Sequence, residues 1–447
     1  MALTGMAIFK HLPKTNCGDC GVPTCLAFAM ALAGGKATLD KCPHVSQAAK
    51  DLLAEASAPP IRGVTIGEGE YALKVGEELV LHRHEKTFFN PTGFALLLED
   101  TEDAAAVAAK LAALTAATYE RVGQTLRANL VAVKNTSGDA SKFAAAVAAA
   151  AGAVPYPLVL MAEPAAIEAA LAAAPLKRPL LCAATAANVD AMAELAKKAG
   201  APLVVRGASL DEVAELTAKL EGMGVKELVI DPGTRGLKET HQALVYIRRA
   251  ALKKKLRPFG YPTFVVPAEE TDDDMMETVL AAVYTIKYGG IVVLRDLSPE
   301  KAYPLFVLRQ NIYTDPQRPM QVDQGFYPIN GAKEDSPVLI TTNFSLTYFI
   351  VSSEVEASKM PVWLGIVDTD GLSTLTAWAA GKFVPDRIAT FITKSDLTEK
   401  VNHKTLVIPG YVAQISGELE DELQGWKIVV GPREASELQS FLKGFKP

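Results

Sequence analysis

Eight apolar runs recur between residues 94 and 296, and they constrain the fold of this chain more than any other feature. Each run is rich in Val, Leu and Ile without polar alternation, which is typical of strands buried on both faces of a parallel sheet. Helical stretches such as SLDEVAELTAKLEGMG separate the runs, as βα units require. The runs are FALLLED (94–100), NLVAVKN (129–135), PLVLMAE (157–163), PLLCAAT (179–185), PLVVRG (202–207), ELVIDPG (227–233), PTFVVP (262–267) and GIVVLRD (290–296). Eight such units over about 200 residues predict a TIM (β/α)8 barrel.

Two segments flank the barrel. GVTIGEGEYALKVGEELVLHRHEKT (63–87) alternates apolar and polar residues with glycine punctuation, which predicts a small hairpin. Its His82 and His84 alternate on one face of the hairpin; metal binding is one interpretation of this pair, and a solvated edge of the hairpin is the commoner one. The barrel unit is therefore expected over 59–313, and the Pro-rich and Gly-rich segment 314–336 is expected to be a linker.

Residues 337–447 carry a second α/β series. The apolar runs SPVLITTN, PVWLGIVDTD, RIATFITK, TLVIPG and WKIVVGP suggest four or five strands, with helices starting at Ser345, Gly371, Val412 and Glu434. Four or five strands are too few to close a barrel. They predict an open, doubly wound sheet of Rossmann or flavodoxin-like shape.

The loops of this second sheet are small and polar. TTNFS follows the first run and DTDGLST follows the second, while Pro409-Gly410 and Gly431-Pro432 follow later strands at the same edge. Open α/β sheets bind ligands outside the carboxyl ends of their strands, so these loops predict a platform for a broad ligand. The alternative is that Asn343 and Asp370 are only helix caps and the glycines only turns.

The N-terminal 58 residues contain four of the five cysteines. Their spacing is Cys17-x2-Cys20-x4-Cys25-x16-Cys42, inside a stretch that begins TNCGDCGVPTCLAF. Zinc sites usually pair two C-x2-C knuckles, whereas only one close pair occurs here. Pro43 after the last cysteine and glycines beside the first two favour an iron–sulfur cluster, most simply [4Fe–4S], over structural zinc.

A domain built on one cluster has no room for a substrate and is suited to passing one electron. The fifth cysteine, Cys182, lies in an apolar run and is expected to be a core thiol.

Charge and composition exclude several classes of partner. The net charge of −6 gives no basic surface for nucleic acid. No apolar run approaches the roughly 20 residues that span a bilayer, and no export signal opens the chain, so we expect a cytoplasmic protein without a membrane segment.

The barrel strand ends carry Glu99, Asp100, Asn135, Glu163, Arg206, Asp231, Arg295 and Asp296. These residues leave open an iron–sulfur barrel enzyme acting on a small substrate, against a barrel that serves as scaffold. No catalytic residue is assigned, since no known catalytic motif stands among them.

The motif NCGDCGVPTCLAFA with Cys42-Pro43 is followed by a predicted barrel and then by a predicted α/β domain. That α/β domain lacks the Asp-x-His-x-x-Gly motif of many cobalamin proteins. In these features the chain resembles the large subunit of the corrinoid iron–sulfur protein of the anaerobic acetyl-CoA (Wood–Ljungdahl) pathway. The resemblance covers the whole chain. It implies a [4Fe–4S] cluster on Cys17, Cys20, Cys25 and Cys42, and a cobamide held base-off, with no histidine ligand, by the C-terminal domain.

The resemblance also implies a function and its partners. Such a protein is a methyl carrier and not a stand-alone enzyme: its cobalt accepts a methyl group from methyltetrahydrofolate through a methyltransferase and delivers it to acetyl-CoA synthase. The cluster reactivates Co(II), and a small barrel subunit completes a heterodimer. Carried over by position, the corrinoid contacts are Thr341, Thr347, Gly371, Leu372, Ser373, Thr374, Gly431 and Pro432.

Overall fold

The computed structural model describes residues 5–33, 37, 39–46, 49–50, 59–85, 87–122, 124–314 and 319–447. The chain divides into two compact units. One comprises Met1–Leu81, Phe89–Thr115 and Ala128–Lys301, and the other comprises His82–Phe88, Ala116–Arg127 and Ala302–Pro447. The segment SQAAKDLLAEA (46–56), whose pattern predicts a helix, falls mostly outside the described residues.

All eight predicted barrel runs form parallel strands of one sheet. The strands are β3 (Gly93–Glu99), β6 (Leu130–Lys134), β7 (Leu158–Met161), β8 (Leu180–Ala184), β9 (Leu203–Arg206), β10 (Leu228–Asp231), β11 (Phe264–Val265) and β12 (Ile291–Leu294). Their order in the sheet is β10-β9-β8-β7-β6-β3-β12-β11, and a bridge between Ile230 and Thr263 joins its two ends. The eight-stranded barrel is confirmed and is nearly closed.

Helices follow the barrel strands as the sequence predicted. They are Ala104–Ala116, Ala140–Ala153, Pro164–Ala173, Val189–Ala199, Leu210–Gly222, Leu237–Leu252 and Asp274–Ile286, followed by Pro299–Ile312, most of which belongs to the second unit. Several start on side-chain caps, which satisfy free backbone N–H groups. Asp139, for example, accepts from the N–H groups of Ser141 and Lys142.

A short hairpin closes the amino-terminal end of the barrel. Strands β1 (Val64–Ile66) and β2 (Leu73–Val75) pair antiparallel, and their apolar residues belong to the same buried cluster as the inward residues of the barrel strands. The backbone N–H of Gly67 donates to the carbonyl of Arg178, just before β8. The paired strands cover less than the predicted 63–87, and His82 and His84 lie beyond them with their rings stacked 5.5 Å apart. The hairpin leaves the carboxyl ends of the barrel strands as the open end.

The second unit contains a five-stranded sheet. Its strands are β13 (Gly325–Ile329), β14 (Val338–Thr342), β15 (Val362–Val367), β16 (Thr405–Ile408) and β17 (Lys427–Val430), in the order β13-β15-β14-β16-β17, and all but β13 are parallel. Its helices include Ser345–Ser358, Thr374–Ala379, Pro385–Lys394, Leu397–Lys400, Ser416–Glu422 and Leu438–Gly444. Two further short strands, β4 (Tyr119–Arg121) and β5 (Gln124–Leu126), form a separate hairpin.

Two sequence predictions for this region are wrong. Residues 325–329 of the expected linker form strand β13 at the edge of the sheet, where Pro328, which has no N–H to donate, is tolerated. RIATFITK was predicted as a strand but lies in the helix Pro385–Lys394. Its buried residues Pro385, Ile388, Ala389 and Ile392 follow helical spacing, and Pro385 occupies the first turn, which suits proline.

The N-terminal segment has two helices, Gly5–Phe9 and Cys25–Ala33, and one 3-10 turn, Leu39–Lys41, among its described residues. None of the helices in the described parts of the chain is both long and apolar enough to cross a membrane.

Candidate metal centre and ligand cleft

A cleft of about 300 Å³ opens between β14 and β16 in the second unit. Strands β14 and β16 are neighbours in the sheet. From β14 the chain goes on to β15, which lies on the far side of β14, and from β16 it goes on to β17, which lies on the far side of β16. The direction of winding therefore reverses between β14 and β16. Crossover helices leave such a point on opposite faces, which opens a crevice at the carboxyl ends. The cleft lies at this switch point.

Six of the eight residues predicted as ligand contacts line this cleft, namely Thr341, Thr347, Ser373, Thr374, Gly431 and Pro432. Gly371 and Leu372 lie outside its lining. The N–H of Gly371 donates to the side chain of Asn343 at 2.9 Å, and Leu372 packs against the apolar core of the unit. Both residues therefore shape the loop that presents Ser373 and Thr374.

Thr341 lines the cleft and has a buried hydroxyl without a hydrogen-bond partner among the described residues. The residue is only 2% exposed. Leaving a buried hydroxyl unpaired costs about 1–3 kcal/mol, so native structures seldom keep one without a reason. The hydroxyl of neighbouring Thr342 is also buried without a hydrogen-bond partner among the described residues, but Thr342 does not line the cleft. The Thr341 hydroxyl is therefore available to a ligand group.

Asn343 ties the two polar loops together. Its Oδ1 accepts hydrogen bonds from the backbone N–H groups of Thr369 and Gly371, and its Nδ2 donates to Asp368 at 2.9 Å. The sequence alternative of Asn343 as a helix cap is not what the structure has, since Phe344 precedes the helix Ser345–Ser358. Asn343 fixes the loop after β15 relative to β14.

The apolar walls of the cleft were missed from the sequence. Ile350, Leu375 and Tyr411 line it and are 48%, 47% and 39% exposed. The helix Ser345–Ser358 offered a clue, because SLTYFIVSSEVEAS has apolar residues on more than the one face that a sheet can bury. Those additional apolar residues face the cleft or solvent.

Three of the four clustered cysteines share one small core. Cys25 and Cys42 are buried and Cys20 is half-buried, in a cluster that includes Ile8 and Phe28. Cys25 begins the helix Cys25–Ala33. Cys42 follows the turn Leu39–Lys41, and all five cysteines of the chain are free of disulfides.

The loop from Asn16 to Cys25 is built around these sulfurs. The N–H of Asn16 donates to Cys25 Sγ at 3.4 Å, and Asn16 Oδ1 accepts from the N–H of Cys25 at 2.8 Å. Gly18 and Gly21 adopt φ of +82° and +85°, where a side chain would be strained. An N–H bond to a ligand sulfur and glycines beside the ligands fit an iron–sulfur cluster.

The fourth cysteine, Cys17, is exposed and has different neighbours. Its sulfur and one ligand atom each of Asp19 and His44 lie within 4.8 Å of one another. The hydrogen bond with His44 holds the pKa of Asp19 below its usual value, and a bond with Cys17 adds to this effect. Asp19 and His44 beside the cysteine motif were not singled out from the sequence.

The predicted strand-end residues of the barrel fall into separate groups. Arg206 donates from Nε to Asp231 at 2.7 Å, in a charged network at the mouth. Asp100 accepts from the backbone of Thr136 and Ser137 and so organises a turn. Asn135 and Glu163 line a second cleft at this end, while Glu99 does not.

Arg295 and Asp296 belong to another cluster, around the fully buried Glu277. Lys301 lies 2.7 Å from Asp296, and the N–H of Arg295 donates to Glu277 at 2.9 Å. Desolvation raises the pKa of Glu277, although the hydrogen bond from Arg295 opposes it. These two predicted residues stabilise the barrel wall.

The chain is similar to known proteins over almost its whole length. The family model described as CO dehydrogenase/acetyl-CoA synthase delta subunit matches residues 63–442, and a putative Fe–S cluster family matches residues 12–44. The corrinoid/iron-sulfur protein large subunit of Moorella thermoacetica is 47% identical over 445 residues, covering 99% of both chains. The acetyl-CoA decarbonylase/synthase complex subunit gamma of Archaeoglobus fulgidus is 37% identical, covering 98% of this chain and 97% of that one.

One solved structure, the dihydropteroate synthase of Thermus thermophilus, covers 57% of this chain and 100% of its own at 16% identity and a TM-score of 0.40. A likeness this distant supports no argument about function.

Proposed function

Because this chain belongs to the family of corrinoid/iron–sulfur protein large subunits and acetyl-CoA decarbonylase/synthase gamma subunits, we propose that it is a corrinoid methyl carrier. Its cobalt would take a methyl group from methyltetrahydrofolate by way of a methyltransferase and give it to acetyl-CoA synthase. A [4Fe–4S] cluster would return the oxidised cobalt to Co(I). The protein would act as one component of a methyltransferase system, paired with a small subunit.

The observation that carries this proposal is the cleft at the switch point of the second unit. Six of its lining residues are among the eight contacts that the resemblance implied, and a buried Thr341 hydroxyl there lacks a partner among the described residues. These features fit a ligand with hydrogen-bonding groups. When bound, a corrinoid would supply a nucleophilic cobalt, and the chain would bind and orient it through Thr341, Ser373, Thr374 and the Gly431-Pro432 turn.

The base-off state of the cofactor draws support from the position of His403. Its Nε2 lies 2.9 Å from the carbonyl oxygen of Ser336, and its Nδ1 accepts from the N–H of Thr405. Both contacts lie at the amino ends of β14 and β16, whereas the cleft lies at their carboxyl ends. Among the described residues that line the cleft, none is a histidine. We therefore propose that the chain offers no imidazole to the lower face of the cobalt.

The cluster would be held by Cys17, Cys20, Cys25 and Cys42. The shared core of three of these cysteines and the N–H bond to Cys25 Sγ support a cubane at this place. Cys17 would have to turn from Asp19 and His44 toward its three companions. A reduced partner protein could pass an electron to the cluster through this side, where Cys17 is exposed, and would itself be oxidised.

Metal analysis tests the proposal directly. Protein purified without oxygen and reconstituted with the small subunit should contain about one cobalt and about four iron atoms per chain, as one corrinoid and one [4Fe–4S] cluster require. A preparation with iron but no bound corrinoid would contradict the carrier function. A colourless preparation with one zinc per chain would instead indicate a zinc-stabilised interaction protein.

The iron–sulfur barrel enzyme makes a different prediction. Its turnover should depend on Asn135 and not on Thr374, whereas methyl transfer by a carrier should depend on Thr374. Assaying methyl transfer from methyltetrahydrofolate with Asn135→Ala and Thr374→Val variants separates the two.

A further inference from the structure

The open end of the barrel holds a cleft of about 350 Å³ that the methyl-carrier function does not use. This volume lies in the range of small-molecule sites. The cleft is formed at the carboxyl ends of β6, β7, β8 and β9, the end at which barrels bind their ligands, while the hairpin β1-β2 fills the other end.

Five charged side chains form one connected network beneath this cleft. Lys134 donates to Glu269 at 2.9 Å, Arg235 donates to Glu269 at 2.9 Å and to Asp231 at 3.2 Å, and Arg206 donates to Asp231 at 2.7 Å. Asp231 is completely buried. Three cations thus share two carboxylates in this network, and the adjacent Glu270, which interacts with Arg235, accepts from the N–H of Gly236 at 2.8 Å.

Arg206 and Lys134 both line the cleft and have donors left over from the network. Arg206 uses Nε for Asp231, and its two Nη groups make no hydrogen bond to any described residue. The side chains of Arg206 and Lys134 are each 33% exposed, and both line the cleft. A guanidinium with two free N–H groups matches the two oxygens of a carboxylate.

The cleft also has a polar part without positive charge. Glu163 lines it and accepts from Asn188 Nδ2 at 3.3 Å, and Asn135 lines it as well. The remaining walls are mostly small, with Ala140, Ala162, Ala165, Ala166 and Met161. A ligand that fills this space needs an anionic end, a donor group for Glu163 and a compact body.

We propose that the barrel mouth is a binding site for a small hydroxy- or amino-carboxylate, with its carboxylate on Arg206 and Lys134 and its hydroxyl or amino group toward Glu163 and Asn135. This site is independent of the corrinoid cleft and would remain if the carrier function proved wrong. Cys182 also lines the cleft, but burial raises the pKa of its thiol to about 12, so it is protonated and serves as wall.

Isothermal titration calorimetry on the whole 447-residue chain, kept free of oxygen, tests the proposed carboxylate site. The probes are glycolate and free glycine. Methylammonium chloride and sodium chloride at equal ionic strength are the controls, because they show any heat that comes only from salt screening of the charged residues. We expect glycolate to bind at one site per chain and Arg206→Gln to weaken it by roughly tenfold or more, since a charged hydrogen bond is lost. Arg178→Gln is the matched control, because Arg178 is 32% exposed and paired with Glu227 at the amino-terminal end of the barrel.

A second variant distinguishes loss of the binding site from misfolding of the protein. Ala165→Phe puts a ring on the exposed wall of the cleft without touching the charged network, and it should also abolish glycolate binding. The proposal is overturned if neither probe binds the wild-type protein, or if glycolate binds Arg206→Gln as tightly as wild type. Inorganic phosphate that binds as tightly as glycolate would overturn the assignment to carboxylates.

Discussion

Replacing Thr341 with valine should stabilise the empty protein and weaken its hold on the corrinoid. Thr341 is only 2% exposed in β14, and its hydroxyl has no hydrogen-bond partner among the described residues, although it lines the cleft. Valine has almost the same shape, suits a strand and brings no unsatisfied group. The two effects have opposite signs only if the hydroxyl is kept for a ligand.

The magnitudes follow from the cost of the unpaired hydroxyl. Removing a penalty of about 1–3 kcal/mol, offset in part by imperfect packing, should raise the free energy of unfolding of the corrinoid-free protein by about 1 kcal/mol. For a unit of this size that corresponds to about 2–4 °C in the unfolding midpoint. Loss of one hydrogen bond of about 1 kcal/mol should weaken corrinoid binding about fivefold. Calorimetry of empty protein and absorbance titration with the corrinoid measure the two quantities.

Thr342→Val is the matched control. Thr342 is completely buried with an equally unpaired hydroxyl, but it does not line the cleft. It should therefore give the same stabilisation without changing the affinity for the corrinoid. Equal affinity of Thr341→Val and wild type would show that the hydroxyl does not meet the cofactor, and a destabilised Thr341→Val would show that the hydroxyl has a partner in the empty protein.

Three further predictions concern the cluster, a loop and pH. Cys20→Ala should leave a cobalt already in the Co(I) state able to accept a methyl group but block its recovery from Co(II), as followed by absorbance, whereas Cys182→Ala should keep both its iron and its recovery. Gly371→Ala should lower the free energy of unfolding by about 1 kcal/mol more than Gly381→Ala does. Both glycines have positive φ, so both substitutions strain the backbone. Only at Gly371 would the added Cβ also lie 2.8 Å from a neighbouring side chain, whereas a Cβ at Gly381 meets nothing within 4 Å. Burial raises the pKa of the Glu277 carboxyl from 4.5, so the folded protein binds the carboxyl proton more tightly than the unfolded chain does. The stability that this proton contributes is fully present below pH 4.5 and is lost as pH rises through the folded pKa. Glu277→Gln should flatten that slope in denaturant unfolding, and an unchanged slope would refute the assignment.

The barrel was predictable because its strands are buried on both faces. A strand such as β7 (Leu158–Met161) has no exposed residue, so its apolar run needs no partner information to be recognised. The same reasoning placed Cys182 in the core, where it is 3% exposed. Polar residues directly after such runs, including Arg206 and Asp231, were therefore expected at the open end.

The charged network was not predictable, because it depends on residues far apart in the chain. Arg235 and Glu269 are separated by 34 positions and meet only once the barrel forms. Similarly, the apolar residues of RIATFITK suit a strand by composition, and only the buried spacing that includes Pro385 marks a helix. Local propensity is a weak guide when tertiary packing decides which face is covered.

Large apolar side chains on two helices beside the cleft in the second unit are exposed, and two of them, Ile350 and Leu375, line the cleft. Leu346 and Ile350 are 55% and 48% exposed on one face of a helix, and Leu375 and Trp378 are 47% and 39% exposed on another. Exposed apolar patches of this kind mark binding surfaces. Under the proposed function, these side chains would offer an apolar surface to the flat corrin ring. The opposite face of the ring would then be open to water unless a second surface covers it, which is a physical reason for the carrier to work with a small subunit.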